Sequence, residues 1–220
     1  MARFVALLRA INVSGHRQIG MADLRRSLQA AGLSDVQTYL QSGNVVLDAS
    51  DEDPEAIAGT IQARIAADFG HQVEVLVVPC AAMDRVVSSN PFASHPDLDE
   101  RWFHATFLFG PVSEEVFAGL KLPAGQGELA AFAGNVVFLC LPNGYGRTKL
   151  TNAYFERALR TFATTRNWRT VCALAGMCAD CRGGEAPLRE APLRATAAPP
   201  PAGDAPPPRP DARRKPGSVA

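Results

Sequence analysis

The chain has 220 residues, 47% of them hydrophobic, and its 22 Lys and Arg are matched by 22 Asp and Glu. This is the composition of a soluble globular protein with material for one large or two small cores. Once residues 182–220 are set aside, 15 basic residues stand against 18 acidic ones, which argues against a body that holds nucleic acid by bulk charge.

Residues 4–8 are an apolar run between arginines and predict a buried strand, followed by a polar loop over 11–20. Those five apolar residues are too few for a signal segment or a membrane span, and no later stretch reaches bilayer length. Met21, Leu24, Leu28 and Ala31 recur at helical spacing, with Gly32 as a natural stop. Residues 36–41 and 44–48 predict a hairpin about Ser42-Gly43. Asp53 before Pro54 opens a helix striped by Ile57, Ile61 and Ile65, and residues 73–78 close the first half as a β-branched strand.

A linking helix over 81–88 and the Asn90-Pro91 break lead into a second pass. It holds a strand over 102–109, a helix over 113–120 capped by Ser113, and a hairpin of 128–132 with 136–141 about Gly134-Asn135. Helical character over 152–162, a weak strand over 163–166 and a last helix marked by Trp168, Val171 and Leu174 complete it. The strings Gly43-Asn-Val-Val46 and Gly134-Asn-Val-Val137 are identical, and each is read as marking the same hairpin of a duplicated unit.

The expected fold is α+β: two tandem ferredoxin-like halves, each with the split β-α-β arrangement and an antiparallel sheet. The halves span 1–79 and 102–178, joined by a linking helix and loop over 80–101. A disordered tail rich in Pro, Ala and Arg follows over 179–220, with ten prolines in its last 39 residues. The alternative for the tail is a Pro-rich ligand for a partner domain.

Five strings carry a family resemblance: Leu7-Leu-Arg-Ala-Ile-Asn-Val-Ser-Gly15, Thr38-Tyr-Leu-Gln-Ser-Gly-Asn-Val-Val46, Asn90-Pro-Phe92, Arg147-Thr-Lys-Leu150 and Ala163-Thr-Thr-Arg-Asn-Trp-Arg-Thr-Val171. Over residues 3–177 the chain resembles the bacterial domain of unknown function 1697 family. It departs from the family pattern at Ala10 and Ser14, where glycine is usual. The resemblance implies a bacterial α+β protein and brings no assigned activity, so no catalytic residue is carried over.

In a ferredoxin-like half the first and second strands run parallel, so the 11–20 loop and the hairpin turn emerge at one end of the sheet. Asn12, Ser14, Gly15, His16 and Arg17 are thereby expected to face Gln41, Ser42 and Asn44, beside the start of the Met21 helix. Free amides at a helix start, with Gly and Arg at hand, suit a phosphate or carboxylate. The alternative is that Asn12 and Asn44 satisfy backbone groups in turns.

A second cluster lies between 142 and 170, where six Lys and Arg stand against Glu156 alone. Arg147, Lys149, Arg166 and Asn167 are its anion-binding candidates. Gly144-Tyr-Gly-Arg-Thr-Lys149 suits a phosphate but lacks the spacing of a P-loop. Tyr145, Tyr154 and Trp168 would let the region stack single-stranded nucleic acid. The alternative is a solvated helix face with a Glu156–Arg160 pair and Trp168 in the core.

The five cysteines, odd in number and irregular in spacing, read as thiols of a reducing compartment. Cys178-Ala-Asp-Cys181 reads as incidental thiols, since no zinc ligand set accompanies it. No metal site, catalytic triad or cofactor fingerprint emerges. The expectation is a cytoplasmic protein without a membrane partner that binds a small anionic ligand at polar loops. A nucleic-acid module using 142–170, less favoured, and a protein-interaction module are the alternatives.

Overall fold

The computed structural model describes residues 1–13, 17–179 and the pair 196–197. Its first sheet comprises β1 (Ala2–Leu8), β2 (Ser34–Tyr39), β3 (Asn44–Ala49) and β4 (Val75–Pro79), interleaved with α1 (Met21–Ala30) and α2 (Pro54–Phe69) and followed by α3 (Cys80–Ser88). The strand order is β2-β3-β1-β4, antiparallel throughout. Local chemistry sets the boundaries: Asp53 accepts a hydrogen bond from the Glu55 amide at 3.0 Å, Pro54 opens α2, and Gly70 at φ 68° closes it.

The second sheet comprises β5 (Phe103–Leu108), β6 (Leu129–Ala133), β7 (Val136–Cys140) and β8 (Ala163–Asn167), with α4 (Glu114–Ala118), α5 (Asn152–Leu159) and a closing α6 (Trp168–Ala179). Its order is β8-β5-β7-β6, again antiparallel, and β9 (Thr196–Ala197) pairs along β6. The rest of the tail lies outside the described residues. Ser113 and Thr151 cap α4 and α5 through their hydroxyls.

Both sheets are covered on both faces, so their central strands are buried along most of their length rather than at alternate positions. One face of the first sheet packs Ala6, Val45 and Leu47 under Leu24, Leu28, Ile57, Ile61 and Ile65 of α1 and α2. Its other face, through Val5, Leu7 and Val46, shares a middle core with Phe103, Phe107 and Phe138, and α3 and α6 contribute Met83, Trp168, Val171 and Leu174. The outer face of the second sheet closes against Phe117 and Phe155 of α4 and α5.

Several expectations change. The helix after β4 is more than a link, because Cys80 and Met83 are buried in the middle core beside α6. The weak strand over 163–166 is a full ladder partner of β5, from His104–Asn167 to Leu108–Ala163. Cys178 is not an incidental thiol: it is bonded to Cys80, 98 residues away, so these two cysteines are not held as thiols. Cys181 lies outside the described residues. Glu156 pairs with Arg9 rather than Arg160, which sits in the left-handed region as the α5 cap.

The two identical strings do not occupy the same place. The Leu8 amide donates to Gly43 O and the Leu108 amide to Asn135 O, so the matching residues are Gly43 and Asn135, one step out of register with the strings. In the first hairpin four residues, 40–43, join Tyr39 to Asn44, and Asn44 is already a fully buried strand residue. In the second, Gly134 (φ 55°) and Asn135 (φ 69°) form a two-residue turn between Ala133 and Val136. Loop length, not the local string, decides which side of the sheet each asparagine meets.

Candidate functional site

The C-terminal end of β1 lies beside the first hairpin, as the parallel run of β1 and β2 requires. Asn12, at φ 53°, spends its whole amide on the backbone: Nδ2 donates to Ile19 O at 3.1 Å and Gln41 O at 2.8 Å, while Oδ1 accepts from the Ile19 amide at 2.8 Å. It therefore ties the 11–20 loop to the hairpin. Arg17, Gln41 and Ser42 are exposed, whereas Ser14, Gly15 and His16 lie outside the described residues.

Between these tied segments is an open depression of about 500 Å³ lined by Asn12, Gln18, Ile19, Gly20 and Gln41. Gly20, the cap residue of α1, lines the depression and offers no side-chain acceptor to the first-turn amides that follow it. Gln18, Ile19 and Gly20 were not singled out from sequence. Their signal was present, as the three residues just ahead of an uncapped helix. Asp23 in the first turn of α1 pairs with Arg26 and places a carboxylate nearby.

Asn44 and Arg166 form the most buried polar contact described. Asn44 Nδ2 donates to Tyr39 O at 2.9 Å and Ser42 Oγ at 3.0 Å, and its Oδ1 accepts from Arg166 Nε at 2.5 Å. Arg166 Nη1 donates to Thr164 Oγ1 at 2.7 Å and Thr165 O at 3.0 Å, and Nη2 to Leu8 O at 2.9 Å and Gly43 O at 3.4 Å. All five guanidinium hydrogens are engaged. Burial lowers Arg166 to about 10, partly offset by the nearby Tyr145, so it remains charged at neutral pH. A second arginine crosses the other way: Arg9 at the end of β1 grips Glu156 of α5 through two bonds of 2.6 and 2.8 Å and stacks over Phe162.

The remaining anion candidates do not converge with Arg166. Arg147, Lys149 and Asn167 are exposed, and Asn167 Oδ1 accepts from the Thr170 amide at 2.8 Å as a cap of α6. The aromatic residues of this region are engaged inside the protein. Trp168 is buried, Tyr145 stacks on His104 at 5.5 Å, and Tyr154 packs edge-on to Phe155 with its hydroxyl donating to Lys121 O. Among the described residues no group of three His, Cys, Asp or Glu is placed to hold a metal, and no helix is long and apolar enough to cross a membrane.

A family model described as a protein of unknown function (DUF1697) matches residues 1–138. Among proteins with curated descriptions none is significantly similar. A solved structure, the conserved bacterial protein SP0830 from Streptococcus pneumoniae, is similar with a TM-score of 0.61 and 22% identity, over 80% of this chain and 98% of that one. This likeness establishes a shared fold, and its description carries no activity.

Proposed function

The chain belongs to the DUF1697 family of proteins of unknown function, and from that starting point we propose that it binds a small ligand bearing a phosphate or carboxylate in the depression ahead of α1. One observation carries the reading: the depression reaches Gly20, the cap residue of α1, which supplies no side-chain acceptor to the helix start. Unpaired amides and the helix dipole together favour an anion there. Arg17 is the exposed cation of the adjoining loop, and Gln18 and Gln41 supply neutral donors. Asn12, Asn44 and Arg166 take no part as direct ligands, because their polar atoms are engaged within the protein; they hold the loop and hairpin that frame the depression. The shared strand order supports reading the halves as two ferredoxin-like units.

Titration with inorganic phosphate and with citrate at low ionic strength, followed by amide chemical shifts, tests the proposal. Saturable shifts are expected at residues 18–24. Arg17→Ala should weaken binding by about fivefold, within the range of a partly screened charge contact. Gly20→Ser should weaken it too, since a serine hydroxyl would take up first-turn amides. No saturable shift with either anion, or affinity unchanged in both variants, would overturn it.

A further inference from the structure

The register of the two sheets sets equivalent strand positions side by side. Leu8 pairs with Val75 and Leu108 with Ala163, so Val78 of β4 stands where Arg166 stands in β8, and Leu76 where Thr164 stands. By the same register Val136 takes the place of Asn44. At the first hairpin the guanidinium of Arg166 fills the gap between a fourth strand and the hairpin end. At the second hairpin each polar member of that slot has an apolar counterpart: valine for arginine, valine for asparagine and leucine for threonine. The carbonyl of Leu108, matching that of Leu8, is taken by Asn135 Nδ2 at 3.0 Å.

The second slot is consequently open. A cleft of about 320 Å³ lies between β4, α3 and the Gly134-Asn135 turn, walled by Leu76, Val78, Val86, Val136 and Phe138. Its polar rim is on α3, where Arg85 and Ser89 stand one turn apart. Arg85 is exposed and has no acidic partner among the described residues, and the Ser89 hydroxyl makes no hydrogen bond to them. Apolar walls, a few polar groups on one side and this volume are the features of a small-molecule pocket.

We propose that this slot binds a small amphipathic carboxylic acid, its chain between the two valines and its carboxylate at Arg85 and Ser89. The charge at the rim selects an acid over a neutral lipid, and the matching slot, already closed by an arginine whose stem and charge fill the same space, explains why only one of the two is open. The site is separate from the depression ahead of α1, and its failure would leave that reading untouched.

Decanoate and decanol, titrated into the full chain by calorimetry, test the proposal. Decanoate is expected to bind at one saturable site. Arg85→Ala should weaken decanoate by about fivefold while leaving decanol unchanged, Ala82→Phe should block both by filling the slot from the helix side, and Arg17→Ala should alter neither. In the unsubstituted protein, nuclear Overhauser contacts from the decanoate chain to the methyl groups of Val78 and Val136 are expected, whatever the folding of the variants. Absence of those contacts, no saturable binding, or decanoate binding indifferent to Arg85→Ala would overturn the proposal.

Discussion

Ala10 sits at φ 53°, in the region that a Cβ disfavours, immediately after the Arg9–Glu156 grip and ahead of the loop that Asn12 ties down. The strain should be relieved by Ala10→Gly, with a gain of about 0.5–1 kcal/mol in urea unfolding after the added entropy of the unfolded chain is set against it. A loss of stability would show that the alanine methyl packs usefully there. A second residue-scale effect concerns pH. Burial lowers the pKa of His104 below 6.5, outweighing its contact with Trp102 O. The unfolded chain then takes a proton near pH 6.5 that the folded one declines, so this contribution to stability is complete above 6.5 and is lost as pH falls toward the lowered value. His104→Phe keeps a ring beside Tyr145 and removes the titration; its melting temperature should fall less between pH 7 and pH 5 than that of the parent. Equal falls would contradict the assignment.

At the scale of elements, turns and caps were legible because their signals are local. The Asp53-Pro54 and Ser113 caps and the backbone turn at Gly134-Asn135 are set within four residues of where they stand, and the structure uses them as read. The identical Gly-Asn-Val-Val strings misled for the complementary reason. Asn44 is a strand residue whose side chain bonds Arg166, 122 positions away, in the core, and no local pattern encodes that partner. β8 read as weak because Thr164, Thr165 and Arg166 are polar; its polar groups are satisfied instead, with Thr164 Oγ1 and Leu8 O accepting from Arg166 and Thr165 bonding Thr106 across the sheet at 2.8 Å. The Cys80–Cys178 bond likewise joins elements that sequence spacing does not relate. The first hairpin offers a direct check. A Cβ on Gly43 (φ 75°) would lie 2.7 Å from Leu8 Cβ and 2.9 Å from Ile11 Cγ1, whereas one on Gly32 (φ 88°) would meet nothing within 4 Å. Gly32→Ala should therefore cost about 1 kcal/mol from backbone strain alone, and Gly43→Ala clearly more. Equal costs in chemical denaturation would mean that the hairpin does not press on β1 as described.

For the whole molecule, the two sheets meet through a shared apolar core and through arginines that cross in both directions, Arg3 to Met177 O and Arg9 to Glu156 one way and Arg166 to Leu8 O the other, while a disulfide ties α3 to α6. The general plan of two sheets with helices was readable because apolar periodicity reports which faces are buried. The way the halves dock was not, since it rests on Arg9 and Arg166, which a count of charges places on the surface. Arg166 is the sharper case: among the described residues its guanidinium has no carboxylate partner and is met by neutral acceptors from both sides. Removing it alone would leave Asn44 Oδ1 and the Leu8 carbonyl buried without a donor, whereas replacing Asn44 by valine as well removes the first of these orphaned acceptors. The most direct measurement is urea unfolding of the parent protein, Arg166→Met, and Arg166→Met combined with Asn44→Val. The single variant is expected to lose about 3 kcal/mol or more and the double variant less than the single. A single variant within about 1 kcal/mol of the parent would contradict the claim that Arg166 locks the halves together.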